Sequence, residues 1–215
     1  MFRFPSPLYP IADAAPGRDV IALAGAILAG GARLLQLRAK DAPTGELVAL
    51  ARAVKTRSDR VRALLVINDR PDVAHLIGAA GVHLGQDDLP PAAARAILGP
   101  DKLIGLSTHT LAQVDAAIDA GAIDYVAFGP IFATASKPAP DPVQGLAALA
   151  AARARCPLPL VAIGGIDACN LAGVFAAGAD AIAVIGAIAA AADPERAMRE
   201  LLHAAARARR VEYGG

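Results

Sequence analysis

The sequence predicts one domain over residues 1–215, built as an α/β (β/α)8 TIM barrel. Three observations lead there. A helical pattern that ends at glycine and runs at once into a short apolar stretch occurs at Ala29-Gly30-Gly31-Ala32 before LLQLR, Ala79-Ala80-Gly81 before VHLG, Ala120-Gly121-Ala122 before IDYVAFG, and Ala177-Gly178-Ala179-Asp180 before AIAVIG. Further apolar runs, LYPIAD, LLVIND, KLIGLST and PLVAIGG, fall between these units. The alternation continues along the chain without a Ser/Pro-rich linker or a change of composition. Glycine tolerates the left-handed conformation that follows a helix C-terminus, and unbroken βα alternation points to a closed parallel barrel. At 215 residues the chain is short for this fold, which typically takes ~250, so its connections should be short. A doubly wound open sheet is the competing architecture. It usually has fewer strands, and no GxGxxG follows the first strand here.

Taken in order, the strands are expected at 8–12, 34–38, 64–68, 81–85, 102–107, 125–129, 160–164 and 181–185. The helices are expected at 17–29, 43–57, 71–79, 90–98, 110–120, 143–155, 167–177 and 193–209. Some carry local start signals: Asp193-Pro194-Glu195 offers an N-cap with proline in the first turn, and Pro90-Pro91 opens another helix.

Composition excludes several classes. The formal net charge is +1, from 21 basic and 20 acidic residues, which argues against nucleic acid or an acidic membrane as the main partner. Hydrophobic residues are 55% but aromatics only 4%, as suits a helix-rich α/β protein. The opening MFRFPSPLYPIAD has no apolar core of signal-peptide length. The longest near-apolar run, 181–192, lies between Asp180 and Asp193 and is too short to span a bilayer. Cys156 and Cys169 match no metal or redox spacing and read as unpaired thiols of a cytoplasmic protein.

In a barrel, function sits where the strands end. The stretch 64–88 reads as strand, helix, strand, and delivers Asn68-Asp69 and Gln86-Asp87-Asp88 to one rim. Carboxylates from adjacent strands suit a hard cation such as Mg²⁺, which takes one or two carboxylates plus phosphate and water. Asp69 is the leading ligand candidate, with helix capping as its bland alternative; strand periodicity does not choose between Asp87 and Asp88. Strand two places Gln36, Arg38 and Lys40 on one face, with Leu35, Leu37 and Ala39 against the outer helices. Arg38 and Lys40 there make either a diphosphate clamp or, for Arg38, an internal salt bridge with Asp69 as a candidate partner. Ser107, Thr108 and Thr110 can bond phosphate or cap the next helix, and His109 and His83 read as incidental or structural. The long sixth loop, 129–140, supplies Thr134, Ser136 and Lys137 for an anion. Gly164-Gly165 and Ile185-Gly186 end strands seven and eight, where barrels often bind phosphate on backbone amides.

Together QLRAK, INDR, GVHLGQDD, IGLSTHT, FGPIFATASK and AIGGI occur in the order and spacing of the thiamine phosphate synthase family, and the resemblance spans residues 8–188. It implies a Mg²⁺-dependent transferase that joins a hydroxymethylpyrimidine diphosphate to a thiazole phosphate and releases pyrophosphate. By resemblance, Gln36, Arg38, Lys40 and Asn68 hold the pyrimidine diphosphate, and Asp69 and Asp88 bind Mg²⁺. Ser107 and Lys137 also contact the pyrimidine substrate. Thr134 and Ser136 line the thiazole phosphate site, and Gly165, Ile185 and Gly186 hold that phosphate through backbone groups. Arg38, Lys40 and Lys137 are the expected catalytic charges. The partners so implied are small molecules, with no nucleic acid or membrane, and a homo-oligomer is compatible with them. Against the family pattern, Gly186 stands where many members have Ser, Thr134-Ala135-Ser136 replaces Thr-x-Thr, and Ala12 precedes Asp13 where Thr is usual. Related readings are a thiazole tautomerase, which does not need QLRAK, Asn68-Asp69 or Asp88, and a non-catalytic thiazole phosphate binder, which does not need the acidic pair.

Overall fold

The computed structural model describes residues 2–134 and 141–213, the last four of these by backbone alone. The elements are β1 (Leu8–Asp13), α1 (Val20–Ala29), β2 (Leu34–Arg38), α2 (Thr44–Arg60), β3 (Leu64–Asn68), α3 (Pro71–Leu76), β4 (Gly81–Leu84), α4 (Pro91–Leu98), β5 (Leu103–Thr108), α5 (Leu111–Asp119), β6 (Tyr125–Phe128), α6 (Gly145–Arg155), β7 (Leu160–Ile163), α7 (Leu171–Ala176), β8 (Ala181–Val184), α8 (Gly186–Ala189) and α9 (Pro194–Tyr213). The strands pair in parallel in chain order, and β8 returns to β1, so the sheet closes as predicted.

Local chemistry accounts for several helix starts. Asp19 caps α1 by accepting from the Ile21 and Ala22 amides, and Thr110 caps α5 by accepting from Gln113. Pro71 and Pro91 occupy first-turn positions, where a missing N–H costs no helical bond. Several expected bounds shift, among them the start of α1 at Val20, the end of α2 at Arg60, the end of α3 at Leu76 and the end of α9 at Tyr213; two further departures lie beside the open end of the barrel. The helix expected over 167–177 begins only at Leu171, because the segment before it turns on its own side chains: Asn170 Oδ1 accepts from the Asp167 amide and Asp167 Oδ1 from the Cys169 amide. The apolar run after β8 contains the extra short helix α8, which opens at Gly186.

Two apolar layers result. Leu35, Leu37 and Ala39 pack outward under the helices, as the alternation of β2 predicts. Inside the barrel, Tyr9, Ile11, Leu34, Val66, Tyr125, Ala127, Val161, Ala181 and Ala183 form a separate cluster with Phe4. Phe4 packs edge-on to Tyr125 at 5.3 Å between ring centroids, and Phe2 lies 4.9 Å from Phe4. These residues, preceding β1, stop the amino-terminal end of the barrel from below. What stays open is the other end.

Candidate active site

A cavity of about 450 Å³ opens at the carboxyl ends of the strands, within the usual size range of small-ligand sites. The sequence-predicted residues Gln36, Arg38, Asn68, Ser107, Thr134, Gly165, Ile185 and Gly186 all line it. Ser136 and Lys137 lie outside the described residues. Lys40, Asp69 and Asp88 stand together at the rim, where Lys40 Nζ is 3.4 Å from Asp69 Oδ2.

The β1–β2 register sets Arg38 beside Asp13, and their side chains meet at 2.6 Å between Nη1 and Oδ1. The alternative of an internal salt bridge from Arg38 to Asp69 is replaced by another: Arg38 pairs with Asp13, and Asp69 with Lys40. Asp13 went unrecognised from the sequence because its significance depends on which residue of the neighbouring strand it faces. The Arg38–Asp13 contact still leaves guanidinium donors for an incoming anion, since Arg carries five.

Asp69 is held unusually. Its backbone adopts φ +63°, sparsely populated by residues with a Cβ and better tolerated by Asp than by most. Its amide nonetheless donates to the His83 carbonyl at 2.8 Å, so β3 remains tied to β4 through this step. Helix capping is not its role: α3 has no side-chain cap. Instead the Asp69 carboxyl faces that of Asp88 within hydrogen-bonding reach, so of the two strand-four carboxyls Asp88 is the one turned toward Asp69. Burial, followed by the facing Asp88 carboxyl, pushes Asp69 up to about 6, against the opposing pull of Lys40. Asp88 is itself oriented by accepting from the Gly85 amide at 2.7 Å. Among the described residues no cluster of three or more His, Cys, Asp or Glu side chains is arranged for a metal. A pair of opposed carboxyls is nevertheless a donor set that suits Mg²⁺, which completes its shell with water and phosphate oxygen.

Opposite, Gly164 and Gly165 adopt φ +101° and +62°. A Cβ on Gly165 would come within 2.4 Å of the Ala133 carbonyl oxygen. The two glycines are therefore required for β7 to turn under the sixth loop, and they expose backbone to the cavity near Gly186. Asn170 Nδ2 donates to the Gly165 carbonyl at 2.9 Å and braces that turn.

Two histidines read as incidental or structural line the cavity. His109 Nδ1 is 2.7 Å from the Gly129 carbonyl oxygen, and its Nε2 is 3.6 Å from Asp141 Oδ2. His83 lies between Tyr125 Oη, 3.0 Å from Nδ1, and Ser107 Oγ, 2.9 Å from Nε2. Its inward alternation on β4 was the available signal. Of the strand-five hydroxyls, Thr108 bonds the Ala127 carbonyl and Thr110 caps α5, leaving Ser107 to the cavity.

Comparisons with known proteins identify the family and match the fold. The family described as "Thiamine monophosphate synthase" matches residues 8–188. The chain belongs to this family. The thiamine-phosphate synthase of Anaeromyxobacter dehalogenans is 50% identical over 158 residues, covering 74% of this chain and 70% of the relative. That of a Roseiflexus species is 43% identical over 196 residues, covering 90% and 83%. The thiamine phosphate pyrophosphorylase of Pyrococcus furiosus superposes with a TM-score of 0.85 at 34% identity, covering 94% and 96%.

Proposed function

We propose that this chain is a thiamine phosphate synthase, transferring a pyrimidinylmethyl group from its diphosphate to the ring nitrogen of a thiazole phosphate. The observation that carries this reading is the convergence of Gln36, Arg38, Asn68 and Ser107 with Gly165 and Gly186 around one cavity, in a member of the family. One side offers cations for a diphosphate; the other offers glycine backbone for a phosphate.

The reaction breaks the methylene carbon–oxygen bond and forms a carbon–nitrogen bond, with pyrophosphate leaving. Arg38 would take diphosphate oxygens on the donors Asp13 leaves free, with Lys40 as a point charge at the rim. Lys137, from the sixth loop, is assigned the same task. Asp69 and Asp88 would hold Mg²⁺, which supplies further neutralisation of charge on the departing diphosphate. The aminopyrimidine stabilises positive charge at its methylene carbon by donation from the ring. Water is the competing nucleophile, and the apolar walls Ile163, Val161, Ala183 and Ile185 keep it away. Thr134, Ser136 and the backbone of Gly165, Ile185 and Gly186 would anchor the thiazole phosphate so that its nitrogen is aligned for capture. No protein nucleophile takes part.

A cytoplasmic location is part of this reading and is supported by the free thiols Cys156 and Cys169. Among the described residues no helix is long and apolar enough to cross a membrane. The deciding assay supplies both substrates with and without Mg²⁺. Pyrophosphate should appear only with both substrates and the cation. Isomerisation of the thiazole phosphate alone would make the protein a tautomerase, and binding without turnover a sensor.

A further inference from the structure

The cavity floor is one continuous hydrogen-bonded chain. Gln36 Nε2 donates to Tyr9 Oη at 3.0 Å. Tyr9 Oη lies 3.0 Å from Tyr125 Oη, which lies 3.0 Å from His83 Nδ1, and His83 Nε2 lies 2.9 Å from Ser107 Oγ. Side chains from β2, β1, β6, β4 and β5 thus join Gln36 to Ser107, both assigned above to the pyrimidine substrate, through three that have no assigned role.

The first link sets the direction of the rest. An amide nitrogen only donates. Tyr9 accepts it, and although a phenol oxygen can accept twice, only the order in which Tyr9 donates to Tyr125 and Tyr125 to His83 Nδ1 gives both buried hydroxyl protons an acceptor within the chain. The imidazole proton then sits on Nε2 and is given to Ser107 Oγ. At one end Gln36 Oε1 remains as an acceptor; at the other, the Ser107 hydroxyl proton remains as a donor. The fold is shaped to hold this chain. A Cβ on Gly105 would sit 2.1 Å from Tyr125 Cζ, so only glycine leaves room for that ring. His83 stacks on it at 5.5 Å and 23°. Burial raises both phenols, Tyr9 to about 12 and Tyr125 well above its ordinary value, so both keep the protons the chain needs.

We infer that Tyr9 and Tyr125 are positioning residues that act through Gln36, His83 and Ser107, and that their chain makes the site read a 4-aminopyrimidine over its 4-oxo counterpart. The inference rests on the proposed function. A fixed acceptor at Gln36 matches an exocyclic amino group, which donates, and is mismatched to an oxo group, which accepts; Ser107 meets a lone pair of the same substrate. A site built around such a bond rejects the reversed pattern, because a buried polar group is left unpaired.

The test compares wild type with Tyr9→Phe, Tyr125→Phe and the double variant, using 4-amino and 4-oxo pyrimidinylmethyl diphosphates, with thermal unfolding as the check on folding. Each single variant should lower kcat/KM for the amino substrate about 3- to 10-fold. Each should shrink the amino-over-oxo preference by a similar factor and leave the KM for thiazole phosphate unchanged. The double variant should be no worse than the worse single, since both cut one chain. Additive losses, or an unchanged preference, would overturn the inference. Nitrogen-15 NMR of His83 gives a readout independent of turnover: the wild-type ring should carry its proton on Nε2, and a proton on Nδ1 overturns the stated direction. Should the wild type release no pyrophosphate, the functional reading fails by itself, while the His83 tautomer still decides the direction of the chain.

Discussion

The two ends of this barrel use the same charged residue types in opposite ways. At the amino-terminal end, Asp124 Oδ2 accepts from Arg95 Nη2 at 2.7 Å and from the Ile104 amide at 2.8 Å. Two units on, Asp180 Oδ2 accepts from Arg153 Nη1 at 2.7 Å and from the Leu160 amide at 2.8 Å. In each case the Asp amide also donates back to the carbonyl of that same residue on the neighbouring strand. These carboxylates are matched and their task is cohesion. At the carboxyl end, Asp69 has a left-handed backbone, a second carboxyl in front of it and a lysine at 3.4 Å. That arrangement is unfavourable until something positive arrives. Complete pairing marks a structural charge, and incomplete pairing of a charge held in place marks a functional one.

The largest expected effect comes from removing one mouth carboxylate. Asp69→Asn should cost turnover on the order of 10²–10³ while leaving the barrel folded, since Asn accepts the left-handed backbone and ends the confrontation with Asp88. Steady-state pyrophosphate release and circular dichroism would check this together. Near-normal turnover at saturating Mg²⁺ would contradict the metal assignment.

At the opposite end the effect should fall on stability alone. Asp124→Ala strands the Ile104 amide and takes the carboxylate from Arg95, which keeps only backbone carbonyl partners, among them Gly99, Lys102 and Ala122; it should lower unfolding free energy by about 1–3 kcal/mol, read from denaturant midpoints. Activity per folded molecule should stay constant. Loss of activity without loss of stability would erase the distinction between the ends.

Acidity sharpens the same contrast. Asp69 has a folded value of about 6, above its ordinary 3.8. The folded state therefore holds this proton more tightly than the unfolded state, and stability declines as pH rises from about 4 through 6. Above that window the mismatch with Asp88 is fully felt, with only Lys40 opposing it. Mg²⁺ should raise the melting temperature most above pH 6 and progressively less below it, because protons compete for the same carboxylate. Scanning calorimetry across pH, with and without Mg²⁺, would test this; Asp69→Asn should flatten the difference.

The smallest effect is expected at the thiazole side. Gly186→Ser restores the hydroxyl common in the family and should lower the KM for thiazole phosphate about 2- to 10-fold without changing kcat.

What the sequence made legible follows the same division. Strand positions could be read because apolar runs end at glycine or at a polar cluster; Asn68, Asp69 and Ser107 could be placed at the mouth because each sits at or beside the end of a strand, and Gln36 because it shares a face with Arg38. Residues whose meaning depends on a neighbour in space could not. Asp13 becomes informative only beside Arg38, and Tyr9 and Tyr125 resemble ordinary core residues until their hydroxyls are seen to meet. His83 occupies an apolar strand, and nothing local reveals that both its nitrogens are engaged. In the sequence Gly105 is simply part of a strand; in the fold it makes room for the ring of Tyr125.

Phe2 and Phe4, packed beneath the tyrosines, have a kinetic consequence. They make the tube blind, so traffic uses a single doorway. Whichever reactant seats against the floor must enter before the one nearer the lip, and departure reverses that sequence. Compulsory-order kinetics, with the late-arriving partner trapping the earlier one, would then be a property of plumbing rather than of affinity.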